Sequence, residues 1–265
     1  MKRAFPNEFL YQIVALLLAM ILVHTFYVWL VRPKADRIME EQAALMRADP
    51  EYVQERSLWV IVRDFEQEAC FILMLWAIAI MAQKGRSATR EQRLLEQDLV
   101  PLSEGTKILP EDVREYSRQI QSLPDTSRHA LLPRALSAAL HRFGATQDIQ
   151  NVSTTAHEVC EAESERLESE LSMVRYIAWA IPSIGFIGTV RGIGDALGKA
   201  HQAVEGNISG VTRSLGTAFN STFIALLLSI VLMFLLHRLQ LRQERLVLDT
   251  QTYLDEHLIQ HMRVP

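Results

Sequence analysis

The chain has 265 residues, 49% apolar and 22% charged, and its net charge of −4 comes with basic residues scattered among acids, so nothing argues for a nucleic-acid partner. Those averages conceal two runs of 23 residues without Asp, Glu, Lys or Arg, at 9–31 and 214–236. Each predicts a helix of roughly 34 Å, where roughly 20 apolar residues suffice to cross a bilayer, so a wholly soluble enzyme is excluded.

The first predicted span, 9–31, follows Lys2 and Arg3 and is interrupted only by mild polar residues such as Gln12 and His24. It exceeds a signal-peptide apolar region and no small-x-small cleavage site closes it, so it is expected to stay as an anchor. The second span has a strictly apolar part of just 14 residues, 69–82. Before it, 57–68 mixes Leu58, Trp59, Val60, Ile61, Val62 and Phe65 with Arg63, Asp64, Glu66 and Glu68. That pattern predicts one long helix, amphipathic outside the membrane and spanning in its second half.

The insert 83–175 is divided by Pro101, Gly105, Pro110, Pro124, Pro133 and Gly144, with short helices expected at 111–122 and 134–143. From Asp148 no Pro or Gly appears until Pro182, so the acid-rich run 158–170 is expected on a helix leading into a third span, 176–196. Thr146 or Ser153 is the expected N-cap. A solvated face is the plainer reading of that acid run, a surface for a basic partner the sharper one. The fourth span, 214–236, is expected to continue as a helix over 239–261. The two extensions should pack side by side. The predicted class is therefore all-α: a polytopic membrane protein with four transmembrane helices and a helical cytoplasmic bundle. Its expected parts are 1–82, the first two spans; 83–175, the cytoplasmic insert; 176–236, the pore-forming spans; and 237–265, a cytoplasmic helix.

Cations after span two (Lys84, Arg86, Arg90, Arg93) and after span four (Arg238, Arg242, Arg245) put the insert and both termini in the cytoplasm by the positive-inside rule. Arg32, Lys34 and Arg37 run against it.

Span three carries Pro182-Ser183-Ile184-Gly185-Phe186-Ile187-Gly188-Thr189-Val190-Arg191-Gly192. Gly188 and Gly192 form a small-xxx-small pair and Gly185 adds a further small position, letting another helix approach closely. Ordinary packing within the chain is the plainer reading of such a stripe taken alone. Pro182 removes a helical hydrogen bond. Pro182 and Thr189 share a face, as do Thr222 and Ser229 on span four, which also holds Thr217 and Ser221. Hydroxyls in membrane helices commonly bond back to their own carbonyls, so two facing hydroxyl surfaces are the informative feature rather than any single one.

The strings 182–192 and 217–230 resemble the MotA/TolQ/ExbB proton-channel superfamily. The resemblance rests on the Gly-x-x-Gly-Thr-Val-x-Gly segment from Gly185 to Gly192 and on Ser221-Thr222-Phe223-Ile224-Ala225. It implies a homopentamer in the bacterial inner membrane, with the last two spans lining a pore threaded by two copies of a single-span partner. That partner, MotB/TolR/ExbD-like, brings a membrane Asp and a periplasmic domain. Thr189, Thr222 and Pro182 would lie on the ion path, and Ser221 and Ser229 are further candidates to line it. Gly185, Gly188, Gly192 and Ala225 would pack the helices. Arg191 stands where that pattern often has a bulky apolar residue.

Residue chemistry points the same way. Hydroxyls pass protons but store no charge, and spans three and four hold no carboxylate away from their ends, Asp195 lying near one boundary. The missing carboxylate should come from another polypeptide, unless Glu68 or Asp195 faces the pore. No cofactor is expected: there is no Walker loop, Cys70 and Cys160 lack metal or redox spacing, and His257/His261 have no acid between them. An enzyme is therefore not expected. A non-conducting membrane scaffold or signal relay is the rival reading.

Overall fold

In the computed structural model, which describes residues 5–48, 57–97, 99, 107–204 and 206–264, the described chain is helical apart from turns, short links and one isolated bridge between Ile108 and Met262. Four helical stretches are long and apolar enough to cross a membrane: Glu8–Met46, Phe65–Leu95, Ile149–Gly198 and Ser209–His261. Prolines 101 and Gly105 lie outside the described residues. The chain divides into two compact units, 1–81 with 173–236, and 82–172 with 237–265.

In the first unit, α1 (Phe5–Phe26) passes through a π-helical segment, Tyr27–Val31, into α2 (Arg32–Ala48). The widened turn has a local cause. Pro33 has no N–H to give Trp29, and the Arg32 N–H reaches back to the Tyr27 carbonyl. Val23, Tyr27 and Val31 then pack with Trp59, Val62, Phe71, Ile72 and Leu75. The expected single helix over 57–82 is not seen. A one-turn α3 (Leu58–Ile61) ends at Val62, and α4 starts afresh as Phe65–Leu95. Separating them lets Gln67 turn its amide back to donate to the Ile61 carbonyl at 3.0 Å. Alongside α1, Trp76 Nε1 donates to the Gln12 carbonyl at 2.9 Å and the Tyr11 hydroxyl to that of Ala79 at 3.2 Å.

Two of the cations that strain the positive-inside rule have aromatic partners: Arg32 lies 4.5 Å from the Phe65 ring centre and Lys34 4.4 Å from that of Trp59.

The second unit is built on α5 (Val113–Gln121), α6 (Asp125–Arg128), α7 (Leu131–Thr146) and α8 (Ile149–Glu170), with the C-terminal residues beyond His237. Its core joins Leu136, Leu140 and Phe143 of α7 to Val152, Ala156 and Cys160 of α8 and to Val247, Tyr253, Leu254 and Leu258. The two expected extensions thus share one core. Neither Thr146 nor Ser153 caps α8: Thr146 closes α7, Gln147 turns through φ +50°, and Asp148 accepts the Gln150 N–H at 2.9 Å.

The acid run is not uniformly solvated either. Glu163 is 2% exposed between Arg134 at 2.9 Å and Arg166 at 2.5 Å. Glu91 accepts the Leu131 N–H at 2.9 Å, capping α7. Burial, chiefly, pushes the Glu91 carboxyl up, over the lowering effect of that N–H.

Candidate functional site

Two helices carry the candidate residues, all of which lie in the first unit: α9 (Ser172–Gly198) and, after the short α10 (Ala200–Val204), α11 (Ser209–His257). One face of α9 is small and buried: Ala178, Gly185, Gly188, Gly192 and Ala196. Its other face exposes Trp179, Phe186, Ile187 and Val190. On α11 the small residues recur at one-turn spacing, Ser214, Ala218 and Thr222, with Ser221 and Ala225 beside them.

The glycines are where the two backbones touch. A Cβ on Gly185 would stand 2.4 Å from the Ala225 Cβ, one on Gly188 2.6 Å from the Ser221 Cβ, and one on Gly192 2.8 Å from the Ser214 carbonyl oxygen. Such approach is open only to residues without a side chain. Gly194, Gly198 and Gly216 meet nothing within 4 Å and do not belong to the contact.

Close packing brings the hydroxyls onto the facing backbone. Thr189 Oγ1 donates to the Ala218 carbonyl at 3.0 Å, and Thr222 Oγ1 to the Gly185 carbonyl at 3.0 Å. The two hydroxyls also contact each other directly. Thr189 Oγ1 also lies 3.4 Å from the Gly185 carbonyl of its own helix, so two hydrogens serve four contacts. When both hydroxyls donate to carbonyls, nothing lies between their oxygens; when one turns to the other, a carbonyl loses its extra bond. Exchange between these arrangements moves a hydrogen without moving a helix, the chemical capacity a proton path needs.

The other expected residues separate. Ser229 Oγ reaches across to the Ala178 carbonyl at 3.2 Å. Ser221, buried, bonds back to its own helix at the Thr217 carbonyl, 3.0 Å away, and takes part through packing against Gly188. Pro182 sits inside α9, half-buried.

Glu66 and Arg191 are a pair that the spacing of the span did not show. Arg191 grips Glu66 with both ends of its guanidinium, Nε to Oε1 at 2.8 Å and an Nη to Oε2 at 2.9 Å. The Glu66 stem lies 3.1 Å from where a Gly188 Cβ would be. An Arg in an apolar run asks for an acid, and that was the available signal; which acid it meets is a tertiary fact. Glu68, buried, is held by Arg32 at 2.5 Å and by His24 at 2.7 Å. Asp195 is exposed.

No curated protein sequence matches the chain. Residues 127–252, by contrast, match the model of the MotA/TolQ/ExbB proton channel family. That stretch begins within α6 and runs through the whole of α9 and most of α11, so it contains every glycine and hydroxyl of the seam. Over the helices that carry the paired hydroxyls, the chain is thus similar to the MotA/TolQ/ExbB proton channel family.

Proposed function

We propose that the chain is the pore-forming subunit of an ion-driven motor in the bacterial inner membrane. Five copies surround two copies of a single-span, MotB/TolR/ExbD-like partner, and proton flow between them drives rotation or force on the envelope. The energy source is the ion gradient and no prosthetic group takes part. Both termini lie in the cytoplasm, where the cations after spans two and four favour them.

The observation that carries this reading is the Thr189–Thr222 pair. Its hydrogen bonds go to the Gly185 and Ala218 carbonyls and to each other, and none goes to a carboxylate. Glu66 and Glu68, the acids nearest in the chain to span two, are taken by Arg191, Arg32 and His24. The path thus has donors and acceptors but lacks a group that can store charge, which a partner's membrane Asp supplies.

The test is the native mass of the detergent-solubilised protein, alone and with a co-expressed single-span neighbour. Five chains of 30.2 kDa give about 151 kDa, and two added partner copies complete the expected complex. Thr189→Val and Thr222→Val should assemble normally and lose conduction. The scaffold reading is favoured by one fact, that both hydroxyls already bond to carbonyls. It predicts a cost of about 1 kcal/mol per hydroxyl and unchanged function. A monomer, dimer or tetramer indifferent to the partner would reject the motor.

A further inference from the structure

A proline inside a helix withholds the N–H that would serve the carbonyl four residues back, and its ring crowds that carbonyl. Among apolar groups no water replaces the lost donor, so the freed oxygen needs another. Pro182 frees the carbonyl of Ala178, a buried residue. Ser229 Oγ donates to it at 3.2 Å. A serine in a membrane helix more commonly bonds back one turn on its own helix, as Ser221 does to Thr217. For Ser229 that carbonyl would be Ala225, and the structure has it crossing to α9 instead.

The bond also falls in register with the threonine pair. Seven residues on from Ala178 is Gly185, and seven back from Ser229 is Thr222, which donates to Gly185. Four further on each helix is the Thr189–Ala218 bond. Three hydroxyl-to-carbonyl crossings therefore follow one line along α9 and α11, with the Ser229 crossing about 10.5 Å from that of Thr222 at 1.5 Å per residue. They differ in one respect. Gly185 and Ala218 have helical amides four residues ahead, at Thr189 and Thr222, whereas Ala178 has a proline there.

We infer that Pro182 and Ser229 act as one unit: the proline frees the Ala178 carbonyl, the serine hydrogen is committed to it, and the serine oxygen is thereby held as a fixed acceptor two turns along the ion path from the exchanging threonine pair. Ser229 is a positioning residue, and its place in conduction rests on the channel reading above. The ligand accepted there is a water or hydronium moving along the seam.

The test is a double-mutant cycle in the full-length protein co-purified with its single-span neighbour. Proton flux is read with a pH dye in vesicles, and thermal midpoint in detergent. Ser229→Ala should lower flux about fivefold at unchanged native mass, and Ser229→Thr should restore it. Pro182→Ala returns the missing N–H to Ala178, so adding Ser229→Ala in that background should change flux and midpoint by less than about twofold and about one degree. Wild-type flux in Ser229→Ala, or losses that multiply independently in the double variant, would overturn the unit. If Pro182→Ala fails to assemble, the Ser229 Ala/Thr comparison still decides. A lowered midpoint with flux per complex intact leaves Ser229 as a mere staple and also overturns its positioning role. Loss of flux in Thr189→Val but not in Ser229→Ala sinks this inference alone; unchanged flux in Thr189→Val sinks the channel reading, and the midpoint cycle still tests the Pro182–Ser229 coupling.

Discussion

Adding one methyl group to the seam separates glycines that matter from those that do not, and predicts which can be rescued. In Gly185→Ala the new carbon lands 2.4 Å from the Ala225 Cβ, 3.1 Å from the Ser221 carbonyl oxygen and 3.2 Å from the Thr222 Cα. Carbon atoms pack at about 3.5–4.0 Å, so α9 and α11 must part by more than about 1 Å. Such overpacking costs about 1–3 kcal/mol. Ala225→Gly removes the worst obstacle and leaves contacts that need give only a few tenths of an ångström. It carries a helix-propensity cost of its own, about 1 kcal/mol. The pair Gly185→Ala/Ala225→Gly should therefore recover about 1–2 kcal/mol relative to the sum of the singles.

At Gly192 the obstacles are the Ala218 Cβ at 2.7 Å, the Ser214 carbonyl oxygen at 2.8 Å and the Ala218 Cα at 2.9 Å. Two of the three are backbone, so Ala218→Gly should rescue almost nothing. Gly194→Ala, with nothing within 4 Å, should be neutral or raise stability by about 0.5–1 kcal/mol. Thermal midpoints of the purified protein in one detergent provide the readout, at about 2–4 °C per kcal/mol. Equal rescue at both sites, or equal damage at Gly185 and Gly194, would refute contact through these glycines.

Truncating Arg191 to Ala should cost about 1.5–3 kcal/mol, because Glu66, at 11% exposure, loses a two-point partner, and the swap Glu66→Arg/Arg191→Glu should recover part of it in the same midpoint assay. Glu91 titrates with a raised carboxyl in the folded chain, so its contribution is full below its ordinary 4.5 and lost as pH rises through the elevated value. Glu91→Gln keeps an acceptor for the Leu131 N–H, and should slow hydrogen exchange in α7 at neutral pH while leaving it unchanged in acid. Cys160 is wholly buried, and burial foremost, with Glu163 and Asp255 adding to it, pushes its thiol up to about 11. Maleimide should therefore label it at pH 7 only after denaturation; rapid labelling of the folded protein would contradict the second unit's core.

What could be read in the sequence was whatever depends on one helix at a time. The uncharged runs mark where lipid can surround a helix, and the seven-residue spacings Pro182–Thr189 and Thr222–Ser229 mark faces without knowledge of a neighbour. The Ser214, Ala218, Thr222 stripe was equally legible by spacing, and only its pairing with the glycines needed coordinates. Partners across helices are another matter. That Arg191 meets Glu66 rather than Asp195 depends on how α4 and α9 align, and no periodicity within either reports it. The break at 62–64 was hidden because amphipathic patterning is the same on both sides of it. The cap at Asp148 was missed because α7 and α8 abut through one left-handed residue, Gln147, leaving no gap in the helical signal.

The π-helical segment Tyr27–Val31 holds one residue more than an α-helix of the same rise needs. Pro33 keeps that extra residue in place: closing the turn to α geometry would aim the Trp29 carbonyl at a ring with no N–H to offer it. Arg32, which meets Glu68 and the Phe65 ring, and Lys34, which meets Trp59, flank that proline, so these contacts depend on the widened turn. The length of this segment is thus set by its own backbone at Pro33, and side chains on other helices depend on it. Selection on insertions and deletions should be harshest at a stretch whose composition looks like any other apolar run.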